Sequence, residues 1–222
     1  MNFVQPKKKL GQHFLKDQNI ARKIVGSLEA QVSDVLEIGP GMGILTRILV
    51  QRPGINLHVI EIDPESVFYL KEHYPELAPR IFSEDFLTWD SRQLPDLFCI
   101  IGNFPYNITS PIFFRILELR QRVPEVVGMV QKEVGERLCS VPGQKSYGIL
   151  SVLLQAWYKA ELLFMVSEQV FIPPPKVKSA VVRLKRNDRE MLPCNEKLFF
   201  RIVKTAFNQR RKMLRNSLKK LT

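Results

Sequence analysis

The middle of the chain alternates short apolar runs with segments whose apolar residues recur at helical spacing. The runs at 35–38, 57–62 and 97–101, of which the last is fully apolar, predict strands, and mostly apolar strands are typical of a sheet covered on both faces. The segments between these runs, such as 65–73 after Pro64, predict crossover helices. The pattern therefore predicts an α/β fold built around a mostly parallel sheet.

The remaining runs extend this picture. Further strands are predicted at 81–82, 126–130, 160–166 and 180–184, and further helices at 42–51, 111–119 and 149–158. The last two strands have no helical segment between them, so we expect a hairpin at one edge of the sheet. A polar segment at 185–194 is interpreted as a linker, and helices are predicted at 196–207 and 210–221.

These elements predict two parts. Residues 1–187 form a sheet domain that begins with a basic N-terminal arm, and residues 188–222 form the start of a small helical domain that we expect to be truncated. The 222 residues are 45% apolar and 25% charged, as in an ordinary soluble protein. Since every apolar run is far shorter than the roughly 20 residues needed to cross a bilayer, we predict a cytoplasmic protein without a membrane partner. Three widely spaced cysteines, Cys99, Cys139 and Cys194, predict reduced thiols and no metal site.

The net charge of +11 lies on the two ends of the chain. Residues 1–23 hold six Lys/Arg and one Asp, and residues 185–222 hold twelve Lys/Arg and three Asp/Glu. Residues 24–184 hold fifteen Lys/Arg and eighteen Asp/Glu. A phosphate backbone is the partner that such flanks favour. A solvated basic surface and a helix on a membrane surface are the alternatives that charge alone leaves open.

A glycine-rich turn follows the first predicted strand. It begins at Glu37 and has glycines at Gly39, Gly41 and Gly43. A dinucleotide loop has the spacing GxGxxG, but Ile44 stands where its third glycine would be. The spacing GxGxG, with an acidic residue before it, instead favours S-adenosyl-L-methionine as the cofactor, with its aminoacyl end against the loop. A tight strand–helix turn without a ligand is the alternative.

Two carboxylates follow the next strands. Glu61 ends the second strand, where it can accept hydrogen bonds from both hydroxyls of a ribose. Asp85 follows the third strand, where it can accept a bond from an adenine amine, although such a residue is often a turn or cap residue. Together with the glycine loop, they predict an adenosine site.

The most specific motif is Asn-Phe-Pro-Tyr at 103–106, after the fourth long strand. An adenine amine is a poor nucleophile because its lone pair is delocalised into the ring. The side-chain carbonyl of Asn103 and the backbone carbonyl of Phe104 are predicted to accept from this amine, while Pro105 fixes the turn and Tyr106 stacks on the base. The base must be flipped out or unpaired to enter. In isolation the motif is also a common proline turn.

Five motifs together resemble a known family, the KsgA-like ribosomal RNA adenine dimethyltransferases. They are KLGQHFL at 9–15, EIGPGMGILT at 37–46, NFPYNIT at 103–109, FIPPPKVKSAVVRL at 171–184 and AFNQRRKMLRNSL at 206–218. The resemblance implies a class I S-adenosylmethionine-dependent methyltransferase domain, Rossmann-like with seven strands, and a helical C-terminal domain. It also implies N6,N6-dimethylation of two adjacent adenines in the 3′-terminal hairpin loop of 16S rRNA, by a monomer acting on a pre-30S particle during ribosome assembly.

The resemblance assigns roles to individual residues. The cofactor contacts that it implies, with those argued above, are Gln12, His13, Leu15, Glu37, Gly39, Gly41, Glu61, Asp85 and Asn103. Phe171 is expected to pack against the target adenine, opposite Tyr106. The residues expected to contact RNA are Lys7, Lys8, Lys9, Arg210, Arg211, Lys212 and Arg215. His13 departs from the family pattern, which has Asn at this position in many members.

Three alternatives remain from the sequence. Erm-type enzymes share the fold and methylate 23S rRNA, which confers antibiotic resistance. A non-catalytic ribosome-assembly factor on this scaffold is disfavoured, because a binding protein does not need Glu61, Asp85, Asn103 and Tyr106 together. A small-molecule methyltransferase is disfavoured by the basic ends of the chain.

Overall fold

A sheet of seven strands forms the centre of the molecule. The structure is a computed structural model that describes residues 4–29 and 32–219. The strands, in chain order, are β1 (Phe14–Leu15), β2 (Asp34–Ile38), β3 (Asn56–Ile60), β4 (Ile81–Phe82), β5 (Cys99–Asn103), β6 (Glu125–Gln131), β7 (Tyr158–Val166), β8 (Phe171–Ile172) and β9 (Ser179–Arg186). The large sheet has the order β4-β3-β2-β5-β6-β9-β7, and β1 pairs separately with β8.

The pairing confirms the predicted sheet. Strands β2 to β6 are parallel to one another, so their carboxyl ends meet at one edge. Strand β9 lies antiparallel between β6 and β7, which confirms the predicted hairpin at the edge. In an open α/β sheet, ligands bind outside the carboxyl ends of the strands, where the strand order reverses. Here that point lies between β2 and β5.

Helices cover both faces of the sheet. They are α1 (Gln18–Gly26), α2 (Thr46–Leu49), α3 (Pro64–His73), α4 (Thr109–Glu118), α5 (Lys132–Cys139), α6 (Ile149–Gln155), α7 (Glu196–Asn208) and α8 (Leu214–Leu218). Helices α1 and α5 are not among the predicted elements, and α2 is shorter than its predicted range. No helix within the described residues is long and apolar enough to cross a membrane.

The helix predicted at 210–221 is wrong in its extent. Residues 209–213 form a turn, and α8 begins only at Leu214. Like charges repel at a spacing of four residues on a helix, which is the spacing of Arg211 and Arg215. Residues 220 and 221 lie outside the described residues.

Helix α7 packs against the sheet domain. Its side chains Phe199, Phe200 and Val203 join the core on that face, and the Phe200 ring stacks 5.7 Å from that of Trp157. The Arg120 guanidinium forms a 2.5 Å ion pair with Glu196, the first residue of α7, and this contact fixes the start of the helix on the sheet domain. The chain after residue 187 therefore begins with a helix anchored on the core, and the domain boundary predicted there remains a prediction.

Candidate active site

A cleft opens at the carboxyl ends of the parallel strands. Its empty volume, including space open to solvent, is about 890 Å³. A second cleft of about 730 Å³ adjoins it, and Phe14, Gly39 and Asn103 line both. Because β2 and β5 end side by side, the glycine loop and the Asn-Phe-Pro-Tyr turn meet where the clefts join.

The glycine loop has the backbone that its sequence predicts. Gly39, Gly41 and Gly43 have φ angles of 63°, 56° and 76°, in the left-handed region that side chains disfavour. A Cβ at Gly41 would lie 2.7 Å from the ring of Phe14. The loop therefore needs glycine for its conformation and for the close approach of the arm that carries Phe14.

Glu37 lies buried at the floor of the second cleft, with 1% of its surface exposed. The Thr46 hydroxyl donates to its Oε2 at 2.7 Å. Burial raises the pKa of Glu37 to about 8, and the nearby charge of Glu61 adds to this, against the opposing effect of the Thr46 bond. The carboxyl group is therefore largely protonated at neutral pH in the absence of a bound cation.

Glu61 and Asp85, the two carboxylates expected to bind adenosine, line the first cleft. The backbone N–H groups of Gly41 and Asp63 donate to the two Glu61 oxygens at 3.1 and 2.9 Å, and burial raises the pKa of this carboxyl. A carboxylate oxygen has a second lone pair, so the ribose hydroxyls of a cofactor still find acceptors here. Asp85 accepts from the Leu87 N–H at 2.9 Å through Oδ1, and retains acceptor capacity for an adenine amine. These residues therefore fit an adenosyl group.

Asn103 ends β5 and reaches the junction of the clefts. Its amide Nδ2 donates to the carbonyl oxygen of His13 at 2.8 Å. This bond fixes which end of the amide is the donor, and it leaves Oδ1 as an acceptor. The predicted role, to accept from a nucleophilic amine, needs that orientation.

The turn after Asn103 is anchored by a side chain that is buried in the core. The ring of Phe104 is buried over Gly102 and Gly128, where a Cβ would approach the ring to 2.9 and 2.5 Å. The carbonyl oxygen of Pro105 accepts from the Thr109 hydroxyl at 2.9 Å. The Phe104 side chain thus anchors the motif, while its backbone carbonyl remains the predicted second acceptor.

Tyr106 stands beside this turn. Its hydroxyl is hydrogen-bonded to the buried Ser179 hydroxyl at 2.5 Å, and burial raises the pKa of the phenol. The Tyr106 and His13 rings lie 5.2 Å apart, tilted by 32°. The ring is therefore held from two sides, as a stacking surface for a base requires.

The structure contradicts the role expected of Phe171. Its side chain is 1% exposed and packs in the core, whereas the next residue, Ile172, is 42% exposed and lines the second cleft. Successive side chains of a strand point to opposite faces, and the pairing of β8 with β1 sets Leu15 opposite Phe171. Ile172, and not Phe171, is therefore the side chain of β8 that faces the second cleft.

Three residues near the chain start that are expected to contact the cofactor lie at the clefts. Gln12 and His13 line the first cleft, and Leu15 lines the second. The His13 ring does more than face the cofactor cleft, since its Nδ1 donates to the carbonyl oxygen of Pro173 at 2.8 Å. The residue thus joins the arm to the loop after β8.

The expected RNA contacts divide into two groups. Lys7 is engaged within the protein, because its ammonium lies 2.5 Å from Asp63 and 2.9 Å from Glu65, and these two carboxylates compensate its charge. The other side chains are exposed and remain predicted RNA contacts, namely Lys8, Lys9, Arg210, Arg211, Lys212 and Arg215. Arg210 also donates to the carbonyl oxygen of Lys145 at 2.9 Å.

Sequence reasoning missed Asp63 and Ser179. Asp63 precedes Pro64 and caps α3 by accepting from the Glu65 N–H, a signal that predicts a helix start and not a site residue. Ser179 begins the largely apolar strand β9, and only its distance to Tyr106 shows its role.

Comparison with known proteins decides the family. The sequence profile of the ribosomal RNA adenine dimethylase family matches residues 4–222. The chain belongs to this family. The ribosomal RNA small subunit methyltransferase A of Parabacteroides distasonis is 59% identical over all of this chain and 84% of its own length.

Solved structures agree with this membership. A dimethyladenosine transferase from Plasmodium falciparum superimposes with a TM-score of 0.79 at 28% identity, covering 93% of this chain and 75% of that one. The 23S rRNA methyltransferase ErmE superimposes with a TM-score of 0.75 at 29% identity, covering 93% of this chain and 84% of that one. The predicted class I methyltransferase fold, the family and S-adenosylmethionine as the cofactor are confirmed.

Proposed function

We propose that this member of the ribosomal RNA adenine dimethylase family transfers two methyl groups from S-adenosylmethionine to the N6 amine of each of two adjacent adenines in small-subunit rRNA. The observation that carries the proposal is the orientation of Asn103. Its Nδ2 is engaged by the His13 carbonyl, so that Oδ1 is the acceptor where the cofactor cleft meets the second cleft.

The residues at the junction suit this chemistry. When bound, S-adenosylmethionine supplies an electrophilic methyl group, and the glycine loop, Glu61 and Asp85 would hold it. Asn103 Oδ1 and the Phe104 carbonyl accept from the N6–H groups, which draws the amine toward tetrahedral geometry and offsets the positive charge that develops on nitrogen. The reaction depends on holding the amine in line with the methyl group, so positioning supplies much of the rate.

Tyr106 supplies the surface for the base. Its ring is fixed by Ser179 and lies next to His13, so it can stack on an adenine without first being ordered. A stacked base contributes about 1–3 kcal/mol to binding of an unpaired nucleotide. The hairpin loop expected from the resemblance offers adenines that are not locked in a duplex.

The small subunit is favoured over the large one by similarity. The small-subunit relative is 59% identical to this chain, whereas the 23S enzyme ErmE is 29% identical. The exposed basic residues at Lys8, Lys9 and 210–215 would contact phosphates of that RNA. We propose that the protein acts as a monomer on a pre-30S particle, with residues 188–222 as the RNA-contacting part.

Transfer of a labelled methyl group tests this proposal. The acceptors are small and large ribosomal subunits purified from a strain that lacks adenine dimethylation, and the product nucleosides are separated after digestion. We expect N6,N6-dimethyladenosine near the 3′ end of small-subunit RNA. Label confined to the large subunit would move the enzyme to the Erm group. Cofactor binding without label in either subunit would overturn the enzymatic proposal and favour an assembly factor.

A further inference from the structure

The first residues of the described chain cross the mouth of the cofactor cleft. We call residues 4–16 the N-terminal arm. Leu10, Gly11, Gln12, His13 and Phe14 line the first cleft opposite the carboxyl ends of the strands. A ligand in this cleft is therefore in reach of the arm.

Asp63 holds the start of this arm. Its side chain is fully buried, and its carboxylate accepts from Lys7 Nζ at 2.5 Å and from Gln12 Nε2 at 3.2 Å. Burial alone would raise the pKa of Asp63, but the bonds from Lys7 and Gln12 outweigh it and lower the pKa. The Glu65 N–H and the Ser66 hydroxyl also donate to this carboxylate, each at 3.3 Å. A buried carboxylate is costly unless its charge is compensated, and the cation that compensates Asp63 is Lys7 of the arm.

A hydrogen bond within the arm also joins Lys7 to Gln12. The backbone N–H of Lys7 donates to Gln12 Oε1 at 2.7 Å, while the other end of the same amide reaches Asp63. Glu65 adds a second carboxylate, 2.9 Å from the Lys7 ammonium. Gln12 and Lys7 therefore bind Asp63 as one unit, with the loop from 8 to 11 between them.

Asp63 lies directly beside the carboxylate predicted to bind the ribose. The backbone N–H of Asp63 donates to Glu61 Oε1 at 2.9 Å, so the two residues share one turn after β3. Further along the arm, the backbone carbonyl of His13 accepts a hydrogen bond from the Asn103 side-chain amide. The arm thus spans the cleft from the ribose carboxylate to the catalytic amide.

We propose that Lys7, Gln12 and Asp63 form a latch that keeps the N-terminal arm closed over the cofactor, which makes Lys7 and Asp63 positioning residues for cofactor binding. The latch concerns the same cofactor site as the proposed function, but it needs no RNA to be tested. It assigns Lys7 to the cofactor site in place of the RNA contact expected from the sequence.

The size of the effect follows from the closed population. Apparent affinity falls in proportion to the fraction of molecules in the competent state. Hydrogen bonds to charged groups are among the stronger ones, and losing the Lys7 charge leaves Asp63 with Gln12 as its remaining donor from the arm. We expect loss of the Lys7 charge to raise the dissociation constant of the cofactor roughly tenfold. This change corresponds to an arm that is closed in about one molecule in ten.

The test compares three variants of the full chain with the wild type. Lys7→Gln removes the charge of the latch, and Lys7→Arg keeps it. Lys71→Gln is the matched control, because it removes an exposed lysine from α3, the helix that Asp63 caps. Titration calorimetry measures the dissociation constants of S-adenosylmethionine and S-adenosylhomocysteine. Hydrogen exchange of amides 8–16, with and without S-adenosylhomocysteine, and the melting temperature of the free protein are measured in parallel.

We expect Lys7→Gln to raise both dissociation constants roughly tenfold, to speed exchange in the arm of the free protein, and to keep its melting temperature within a few degrees. Lys7→Arg should restore most of the affinity, and Lys71→Gln should match the wild type.

Wild-type cofactor affinity in Lys7→Gln would overturn the latch. So would a variant that binds cofactor normally but binds RNA more weakly, since that result returns Lys7 to the RNA surface. These results do not depend on which RNA is methylated. A failure of the latch is therefore distinguishable from a failure of the proposed function, which concerns methyl transfer by the wild type.

Discussion

Replacing Glu37 by Gln should change how the stability of the free protein depends on pH. In the folded protein burial raises the pKa of Glu37 from 4.5 to about 8. Because the folded-state pKa lies above the unfolded one, the carboxyl group favours the folded state fully below pH 4.5, and this contribution is lost as the pH rises through about 8. A tenfold change in a protonation equilibrium corresponds to about 1.4 kcal/mol, so the contribution of this carboxyl group is on the order of 5 kcal/mol at most.

Glutamine has nearly the same shape and does not ionise in this range. Its side-chain carbonyl can still accept from the Thr46 hydroxyl, whose bond to Glu37 measures 2.7 Å. The free energy of unfolding of wild type and Glu37→Gln is measured by urea denaturation of the free protein between pH 5 and 9. We expect the variant to gain stability relative to the wild type steadily as the pH rises to about 8, and then to level off.

A matched control is available on the surface. Glu72 is exposed on α3, so Glu72→Gln should follow the wild-type pH profile within about 0.5 kcal/mol. If the difference between Glu37→Gln and the wild type stayed constant from pH 5 to 9, the carboxyl group would not be held protonated. Glu37 would then be ionised at the floor of the second cleft over this whole pH range.

Three further predictions concern the site and the RNA surface. Glu61→Ala should raise the dissociation constant of S-adenosylhomocysteine, measured by calorimetry, at least tenfold, because the acceptors for the ribose hydroxyls are lost. Wild-type affinity in this variant would place the ribose elsewhere. Ser179→Ala should lower turnover and raise the KM for RNA several-fold, because Tyr106 loses its hydrogen-bond partner, and Ser179→Thr should restore part of the lost activity. Equal kinetics in the wild type and both variants would show that Ser179 does not position Tyr106. Changing Arg211 and Lys212 to Gln should weaken RNA binding and reduce the slope of log affinity against log salt by about 1.5, and an unchanged slope would place the RNA surface elsewhere.

The parallel part of the fold could be predicted from the sequence because its strands are buried on both faces. Strands β2, β3 and β5 are apolar runs that end in polar motifs, so the carboxyl-end residues Glu61 and Asn103 could be placed together. Helix α5 escaped prediction because it follows β6 without a turn signal, and Gly135 weakens its helical pattern. Helix α1 begins at the Asp17 cap within a stretch whose charge predicts only a basic arm.

The contacts at the site that the sequence did not indicate have a common cause. Lys7, Phe171 and Ser179 owe their roles to residues far away in the chain, namely Asp63, β1 and Tyr106. A basic residue near the chain start predicts a phosphate contact until its buried carboxylate partner is known. In the same way, the two-residue pairing of β8 with β1, which no local pattern indicates, decides that Phe171 faces the core.

The most direct test of the central claim is the single-turnover rate of methyl transfer by Asn103→Ala on small subunits that lack adenine dimethylation. Asn56→Ala, an exposed substitution at the start of β3, is the control. If the Asn103 oxygen accepts from the adenine amine, the rate should fall about a hundredfold or more at saturating cofactor, while Asn56→Ala matches the wild type. A rate within about threefold of wild type for Asn103→Ala would contradict the assignment of the catalytic site.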